Sequence, residues 1–509
     1  MSVVDEPQGF VKDITKMSED FDRWYTDVVR KAELADWTGI RGMMVVRPYG
    51  WAIWENIQRI FDDLIKESGH ENWAFPLLIP DELFSKEAEH VEGFAPEAIW
   101  VNYVASQALR RSPDTWTDED VATATAGWLP QPLVIRPTSE TIIGPIVKRY
   151  IQSHRDLPLL TNQWGNVLRW EKRPRLLLRS VEFFWQEGHT FHASAAEAEA
   201  EVHQILEYYR QVAEEWCAIP VLTGRKSDAE KFAGAVYTTS IEAMMRDGLA
   251  LQAGTSHFLG QNFSRAYDIN FTNKSNQVEL CHTTSWGMST RMVGALIMAH
   301  GDDSGLILPP KVAPTQVAVV PIFRNADERA EVEAFLDHVL MDLKGNHIRH
   351  KVDWRDDVRP GDKYAHWELR GVPLRLEVGP RDVAARHVTV VDRLTREKEA
   401  VDARMAGGVG HHLIHKLEDF QKRLYQRALD FRASNTVEVG SLAELVDAFK
   451  EKPVFAVAPW CGDAACEAKV KEATGGVTSR NYREGEAVEG SCAVCGRPAT
   501  VKMVWAKAY

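Results

Sequence analysis

The segment RSVEFFWQEGH, residues 179–189, decides how the largest part of the chain folds, because it brings a strand back beside the one before it. The earlier strand ends in RWE at 169–171, and a basic loop separates the two. The returning strand is predicted over residues 181–185. A further segment, TTSWGMSTR at 283–291, is rich in Ser, Thr and Gly and leads directly into an apolar helix predicted over 292–298.

Arg169, Arg179 and Arg291 lie in these segments beside aromatic and small polar residues rather than beside other charges. A guanidinium on a rigid element can bind a carboxylate or a phosphate through two parallel hydrogen bonds. Phosphoryl chemistry depends mostly on positioning and on charge stabilisation. The pattern therefore predicts a site for anionic groups, with solvated surface arginines as the alternative.

The composition is that of an ordinary globular protein, with 509 residues, 45% hydrophobic and 26% charged. This length suits about three domains. No run of about 18 apolar residues is present, and the charged N-terminal segment lacks the apolar core of a secretory signal. We therefore expect no membrane span and a cytoplasmic protein. The net charge of −13 argues against a broad basic surface but allows a local basic patch.

The first 300 residues indicate an α+β domain with a largely antiparallel sheet. An amphipathic helix is predicted over 14–36 and another over 51–66, followed by a strand over 74–79 with Pro76 inside it. Proline places such a strand at an edge or a bulge, so this region is a candidate dimer surface. The same pattern equally allows an ordinary core helix over 51–66. Residues 251–271 are predicted to form a pocket loop. Two common nucleotide-binding motifs, GxGxxG after an early strand and GxxxxGK[ST], are missing from the sequence.

After Pro309-Pro310 the pattern changes to strands alternating with helices, which is typical of a small α/β domain. This part carries six basic residues within an acidic chain, which indicate either RNA contact or a solvated rim. They are Arg355, Arg359, Lys363, Arg370, Arg375 and Arg381.

Four of the six cysteines form two close pairs, Cys461/Cys466 and Cys492/Cys495, and the other two stand alone in apolar surroundings. Tetrahedral Zn²⁺ binds four such thiolates in a closed, structural site. A redox CxxC is the alternative for the second pair, but it leaves the first pair unexplained. The spacing therefore predicts one structural zinc.

Several longer strings resemble the class II aminoacyl-tRNA synthetases, and among them most closely the prolyl-tRNA synthetases of the archaeal/eukaryotic type. Residues 51–80 resemble motif 1, 169–187 motif 2, and 287–298 motif 3. The more specific strings are RPTSE at 136–140, FFWQEGHTFH at 183–192, GTSHFLGQNF at 254–263 and PGDKYAHWELRGVPLRLEVGPRD at 360–382. The terminal KAY at 507–509 also matches.

The resemblance implies the fold, domain order and activity. We expect an α+β catalytic domain over residues 1–310, an α/β anticodon-binding domain over 311–405, and a small α+β zinc-binding domain over 406–509. The enzyme would convert L-proline and ATP, with Mg²⁺, to prolyl-adenylate and pyrophosphate. It would then transfer the prolyl group to the 3′ end of tRNA-Pro. Motif 1 implies a homodimer.

The resemblance also implies roles for individual residues. Arg169 and Arg291 would be catalytic, and Arg169 would hold both the proline carboxylate and the α-phosphate. The expected proline site comprises Thr138, Glu140, Arg169, Phe183, Trp185, Glu187, His189 and His257. The expected ATP site comprises Arg169, Glu171, Arg179, Ser180, Phe183, Gln252, Thr255, Ser289 and Arg291. The expected metal ligands are Cys461, Cys466, Cys492 and Cys495.

The matching segments leave no room for the inserted editing domain of the bacterial-type enzymes. Because an apolar pocket separates small residues by only about 1–3 kcal/mol, we expect activation of alanine, and of cysteine, without clearance by the same chain. Two alternatives stay open: a class II synthetase for threonine or another small amino acid, and a non-enzymatic synthetase-like regulator. The three retained arginines argue against the second.

Overall fold

The computed structural model describes residues 11, 13–90, 98–103, 117 and 128–509. Its strands are β1 Ala35–Trp37, β2 Met44–Val46, β3 Glu71–Asn72, β4 Leu78–Pro80, β5 Ile99–Tyr103, β6 Trp128–Ile135, β7 Leu159–Leu168, β8 Glu182–His192, β9 Val221–Arg225, β10 Tyr237–Met244, β11 Ala250–Gly260, β12 Asn270–Thr272, β13 Val278–Leu280, β14 His282–Ser289, β15 Val317–Pro321, β16 His350–Val352, β17 Leu374–Val378, β18 His387–Asp392, β19 Lys398–Asp402, β20 Thr436–Glu438, β21 Phe455–Trp460, β22 Thr478–Tyr482 and β23 Val501–Ala506.

The α-helices are α1 Phe21–Lys31, α2 Pro48–Glu67, α3 Asp81–His90, α4 Glu140–Val147, α5 Ala195–Gln211, α6 Asn262–Tyr267, α7 Arg291–His300, α8 Ala326–Gly345, α9 Pro360–Leu369, α10 Pro380–Ala385, α11 Gly408–Ser434, α12 Leu442–Ala448 and α13 Ala464–Ala473. A π-helical turn, Val212–Trp216, continues α5. No helix within the described ranges is long and apolar enough to cross a membrane.

The central sheet contains eleven described strands in the order β20-β21-β23-β22-β9-β10-β11-β14-β8-β7-β3. Its middle, from β9 to β7, is antiparallel throughout, as predicted for an α+β catalytic domain. Successive side chains of a strand point to opposite faces. One face of this sheet is apolar and packs into the largest core, with Ile241, Leu251, Trp286 and Met288 among its members.

α2 and α7 contribute to the same core, through Ile57 and Phe61 of α2 and Leu296 of α7. The apolar face of α2, predicted from its spacing, therefore packs into the core of its own chain. α7 is buried along its whole length, which explains why its sequence is apolar on every side.

Three sequence-based predictions differ from the structure. Residues 251–271 are not a loop but β11 followed by α6, because the polar residues of β11 pair with β10 and β14 inside the sheet. The first helix does not cover 14–36: it begins after Asp20, whose carboxylate accepts from Arg23 N at 2.9 Å, and ends at Lys31. The strand predicted over 74–79 is confined to the short β4.

The second sheet has the order β16-β15-β17-β18-β19, with β15 parallel to both neighbours and β18 antiparallel to β17. This confirms the predicted βαβ pattern. Val332 and Leu336 of α8 pack with the strands, and so do Leu413 and Leu417 from the first half of α11. The second half of α11 packs against Ala218 and Ile307 of the first unit instead.

The C-terminal strands extend the central sheet rather than forming a separate one. β22 pairs with β9 at Tyr482 and Arg225. Across this junction Arg480 Nη2 donates to Glu242 Oε2 at 2.9 Å, and both side chains are buried. The C-terminal cysteine module is therefore continuous with the central sheet.

A substitution at Gly188 tests the packing of this sheet. Gly188 lies opposite Trp286, and a Cβ there would come within 2.1 Å of the indole ring. We expect Gly188→Ala to cost roughly 1–3 kcal/mol of stability through overpacking and to lower the melting temperature at a fixed scan rate. Gly345→Ala is the matched control, because a Cβ at Gly345 meets nothing within 4 Å. Equal melting temperatures for the two variants would contradict the packing described.

Candidate active site

The polar face of the central sheet forms the floor of a cleft from two rows of residues. One row crosses the strands as Gln163, Glu187, Gly287, Thr255 and Ser240, each the cross-strand partner of the next. Because these strands are antiparallel and in register, residues far apart in sequence stand side by side.

The second row lies two residues further along each strand and crosses the sheet as Thr161, His189, Ser285, His257 and Thr238. The FFWQEGHTFH and GTSHFLGQNF strings are thereby brought onto one surface. The polar residues of these strings that face the cleft lie two positions apart because every second residue of a strand faces the same side of the sheet.

Two cavities open on this floor, and both are lined by Arg169 and Glu171. The main cavity has a volume of about 680 Å³ and includes ten of the predicted residues: Thr138, Glu140, Arg169, Glu171, Trp185, Glu187, His189, Gln252, Thr255 and His257. The second has a volume of about 320 Å³ and includes Arg169, Glu171, Arg179, Ser180, Phe183, Ser289 and Arg291. Phe183, predicted for both the proline and the ATP site, lines only the second cavity.

Arg169 lies at the junction of the two cavities, one residue after β7. Its Nε donates to Pro137 O at 2.8 Å, which fixes the side chain against the RPTSE segment. Its guanidinium lies 5.4 Å and 5.5 Å from the ring centroids of Phe183 and Trp185, within cation–π range. Arg169 and Glu140 both line the main cavity.

Glu140 is a buried carboxylate at the first turn of α4. One oxygen accepts from Thr138 Oγ1, and the other lies 3.4 Å from His189 Nε2. Burial by itself raises the pKa of Glu140, but His189 and the hydrogen bond from Thr138 outweigh it and lower the pKa to about 2. The carboxylate is therefore ionised at neutral pH.

The walls around Glu140 contain buried polar atoms without a hydrogen-bond partner among the described residues. They are Trp185 Nε1, Glu187 Oε2, His189 Nδ1 and Ser285 Oγ. Leaving such a group unsatisfied costs about 1–3 kcal/mol. All four residues line the main cavity, so a polar ligand there can satisfy what the protein leaves open.

The pKa values of His257 and His189 are shifted in opposite directions. Burial lowers the pKa of His257 to about 3, so its ring is neutral at physiological pH. Its Nδ1 lies 2.9 Å from Thr238 Oγ1, and its ring packs on Phe232 with centroids 4.7 Å apart. For His189, burial alone lowers the pKa, but the neighbouring Glu140 carboxylate outweighs burial and raises it. The cavity thus has a neutral, partly aromatic end beside a charged one.

The second cavity is strongly cationic. Arg291 donates from Nε to Leu178 O at 3.1 Å and from Nη1 to Gln252 O at 3.3 Å. Burial, together with Arg179 and Arg169 nearby, lowers the pKa of Arg291 to about 10. Arg291 still stays charged at neutral pH. A cluster of three guanidiniums suits a polyphosphate.

Sequence reasoning missed one wall of the main cavity, the segment from Lys226 to Ala233. Lys226 is buried, and its Nζ donates to Gln252 Oε1 at 2.7 Å. Phe232 supplies the ring against His257. The string KSDAEKFA is charged and irregular, so neither periodicity nor composition indicates that it flanks a pocket. Its place after β9 is what brings it there.

The four predicted cysteine ligands lie together, with their sulfur atoms all within 4.8 Å of one another. Cys461 Sγ is 3.7 Å from the Sγ of both Cys466 and Cys495. Four sulfurs at Zn–S bonds of about 2.3 Å in a tetrahedron stand nearly that far apart. The donor set and its spacing fit Zn²⁺.

The terminal Tyr509 lies beside the motif 2 loop, not in either cavity. Its hydroxyl donates to Asp247, and its ring centroid is 4.9 Å from the guanidinium carbon of Arg175. Burial and Asp247 raise the pKa of Tyr509 well above its ordinary value.

The basic set of the second unit is only partly available for RNA. Arg375 and Arg370 are buried and pair with Glu377 and Glu33. Buried Lys363 donates to Asp353 O at 3.0 Å. Arg359 and Arg381 are exposed. Arg355 pairs with Asp353 through two hydrogen bonds. Four of the six basic residues are therefore bonded within the protein.

Three family models match the chain in sequence order. Residues 130–300 match the class II core domain of the G, H, P, S and T tRNA synthetases. Residues 316–406 match an anticodon-binding domain, and 442–509 match the C-terminal domain of prolyl-tRNA synthetase.

Full-length relatives agree with these models. The proline–tRNA ligase of Bacteroides fragilis is 46% identical over 503 residues, covering 98% of this chain and 99% of that protein. That of Symbiobacterium thermophilum is 47% identical over 518 residues, covering 99% of this chain and 100% of that protein.

A solved structure is also similar over nearly its whole length. Prolyl-tRNA synthetase from Cryptosporidium parvum, complexed with halofuginone and AMPPNP, has a TM-score of 0.88 at 37% identity, covering 97% of this chain and 99% of that one. The same protein with L-proline and AMP gives a TM-score of 0.86 at 36% identity, with the same coverage. The site, the domain order and these relatives together show that the chain belongs to the prolyl-tRNA synthetases.

Proposed function

We propose that the chain ligates L-proline to tRNA-Pro in two steps. In the first, a carboxylate oxygen of proline attacks the α-phosphorus of ATP, the bond to the β-phosphate breaks, and pyrophosphate leaves. In the second, a ribose hydroxyl at the tRNA 3′ end attacks the prolyl carbonyl and AMP leaves. No side chain need act as a base in the first step, since a carboxylate is already a nucleophile.

The observation that carries this proposal is the shared cavity of Glu140 and Arg169. Proline has a secondary ammonium, a carboxylate and a small apolar ring. The ionised Glu140 would bind the ammonium, and Arg169 the carboxylate and α-phosphate, aligning them for in-line attack. Trp185 and neutral His257 would enclose the ring. ATP–pyrophosphate exchange across a panel of amino acids tests this, and threonine, the main alternative substrate, belongs in that panel.

For ATP we propose the second cavity and the adjoining edge of the main one. Arg179 and Arg291 would hold the terminal phosphates and stabilise the departing pyrophosphate. Glu171 would read the adenine amino group, with Gln252, Thr255, Ser180 and Ser289 as further contacts. Mg²⁺ would enter with the nucleotide as the counter-ion of its phosphates.

For tRNA we propose that the second unit reads the anticodon, with Arg359 and Arg381 among its exposed cations. Unstacked anticodon bases suit stacking and edge recognition. We also propose that the domain boundaries lie at residues 310 and 405. α11 joins the cores on both sides of it, through Leu413 and through Phe420.

We also propose a cytoplasmic homodimer. None of the six cysteines is paired in a disulfide, which fits a reducing compartment. With the apolar face of α2 committed to its own core, the dimer surface would be the small sheet β4-β6-β5. This sheet region exposes Leu77, Leu78, Trp100 and Trp128.

Removing the guanidinium at 169 should abolish the first step. We expect Arg169→Ala to reduce proline-dependent ATP–pyrophosphate exchange by about 10³-fold or more, because one group then fails to hold both reactants. Arg155→Ala, an exposed arginine outside both cavities, is the control. Near-normal exchange by Arg169→Ala would show that the role is misassigned.

The Glu140→Gln substitution distinguishes proline binding from ATP binding. Loss of a charge-assisted hydrogen bond of about 1.5–3 kcal/mol should raise KM for proline by roughly 10–100-fold. KM for ATP should stay within about threefold, and Glu199→Gln, exposed on α5, should change neither. Equal losses for both substrates would contradict ammonium binding.

The cysteine cluster should carry metal. We expect one zinc per chain by elemental analysis of protein never exposed to chelator, and less in Cys492→Ser. Cys281→Ala, outside the cluster, should keep its zinc. The absence of zinc from protein that was never exposed to a chelator would contradict this proposal.

The enzyme should activate alanine and not correct the error. The ring pocket can discriminate alanine from proline by only about 1–3 kcal/mol. We therefore expect measurable alanine-dependent exchange, and Ala-tRNA-Pro should decay in the presence of the enzyme no faster than in buffer. Rapid deacylation by the enzyme alone would contradict the prediction.

A further inference from the structure

The strongest unexplained feature is a buried carboxylate between the cysteine cluster and the pocket. Glu467 directly follows Cys466 in α13, and both are buried. Its Oε1 accepts from Ser227 Oγ at 3.1 Å and from Ser479 Oγ. Its Oε2 has no hydrogen-bond partner among the described residues. Burying an ionisable group costs stability unless hydrogen bonds compensate it, and one oxygen of Glu467 lacks such a bond.

Ser227 is the second residue of the pocket wall that sequence reasoning missed, Lys226 to Ala233. It is buried and follows Lys226, whose backbone N donates to Thr238 O at 2.9 Å and whose Nζ donates to Gln252. Further along, Phe232 N donates to Thr238 Oγ1 at 2.9 Å. Thr238 in turn bonds His257. The wall thus reaches the proline end of the cavity at one side and Glu467 at the other.

We propose that Glu467 is a positioning residue that makes the pocket wall 227–233 depend on the four-cysteine cluster. Cys466, as a ligand of the metal, would be fixed at the start of α13, and Glu467 beside it would hold Ser227 in place. Loss of the metal loosens the wall around the proline ring. This inference rests on the proposed zinc occupancy and on the proposed proline site. The nearby Arg480–Glu242 pair keeps β22 docked, so the effect is confined to the wall.

Hydrogen–deuterium exchange on the full chain tests this without turnover. We expect Glu467→Ala to raise exchange in peptides covering 227–233 about tenfold, while its zinc content and the protection of β8 stay at wild-type values. Glu467→Gln keeps an acceptor for both serine hydroxyls and should behave as wild type. Glu472→Ala, exposed on the same helix, is the matched control. Chelation of the wild type should loosen the same peptides, with no further effect in Glu467→Ala.

Kinetics supply the second readout. Glu467→Ala should raise KM for proline about tenfold and change kcat for exchange by less than about threefold. If Glu467→Ala fails to fold, Ser227→Ala, which removes the other partner, should loosen the wall in the same way. The proposal is overturned if chelation frees the cysteine peptides but leaves 227–233 protected, or if Glu467→Ala changes neither protection nor KM. A wild type that does not activate proline would refute the proposed function. The hydrogen–deuterium exchange result would still test the link between the cysteine cluster and the wall.

Discussion

The alternation of side chains along five antiparallel strands is the constraint on which the whole site depends. Because the period is two, one face of β7, β8, β14, β11 and β10 carries the two polar rows, and the other carries the core. A register slip by one residue would put Trp286 in the cleft and Glu187 in the core. The buried Trp286 therefore does more than fill space: its fit against Gly188 holds Glu187 and His189 in the cavity.

Burying Glu140, Glu187 and His189 near one another would be costly if any of them were left alone. The structure offsets part of this cost through the Glu140–His189 contact and the bonds from Thr138 and Ser139, and it leaves several polar atoms unpaired. A substrate that bonds those atoms gains more than it would from a fully satisfied surface. Selectivity for an amino acid then comes chiefly from the charged ends, while the ring adds only a modest apolar increment.

The sequence was sufficient for the catalytic strands and their arginines because the motifs are long and local. Arg169 directly follows β7, Arg291 begins α7, and Arg179 lies three residues before β8, so each is close to an element whose pattern is visible within ten residues. Residues 251–271 were misjudged because Gly254, Gly260 and the small polar residues suggest a loop. Their strand exists through pairing with two distant neighbours, which outweighs local propensity. The wall from Lys226 to Ala233 gave no local signal at all.

The C-terminal module illustrates the same limit at longer range. Its four cysteines predict a self-contained metal unit, and the sulfur positions agree with that prediction. Nothing local, however, indicates that Arg480 would meet Glu242 or that β22 would continue the sheet beyond β9. A buried ion pair of this kind is strongly destabilising when one partner is removed, so the catalytic sheet cannot easily tolerate loss of the module. The module is thus a structural part of the active-site sheet, which is why a buried contact such as Ser227–Glu467 can connect a metal cluster to a substrate pocket.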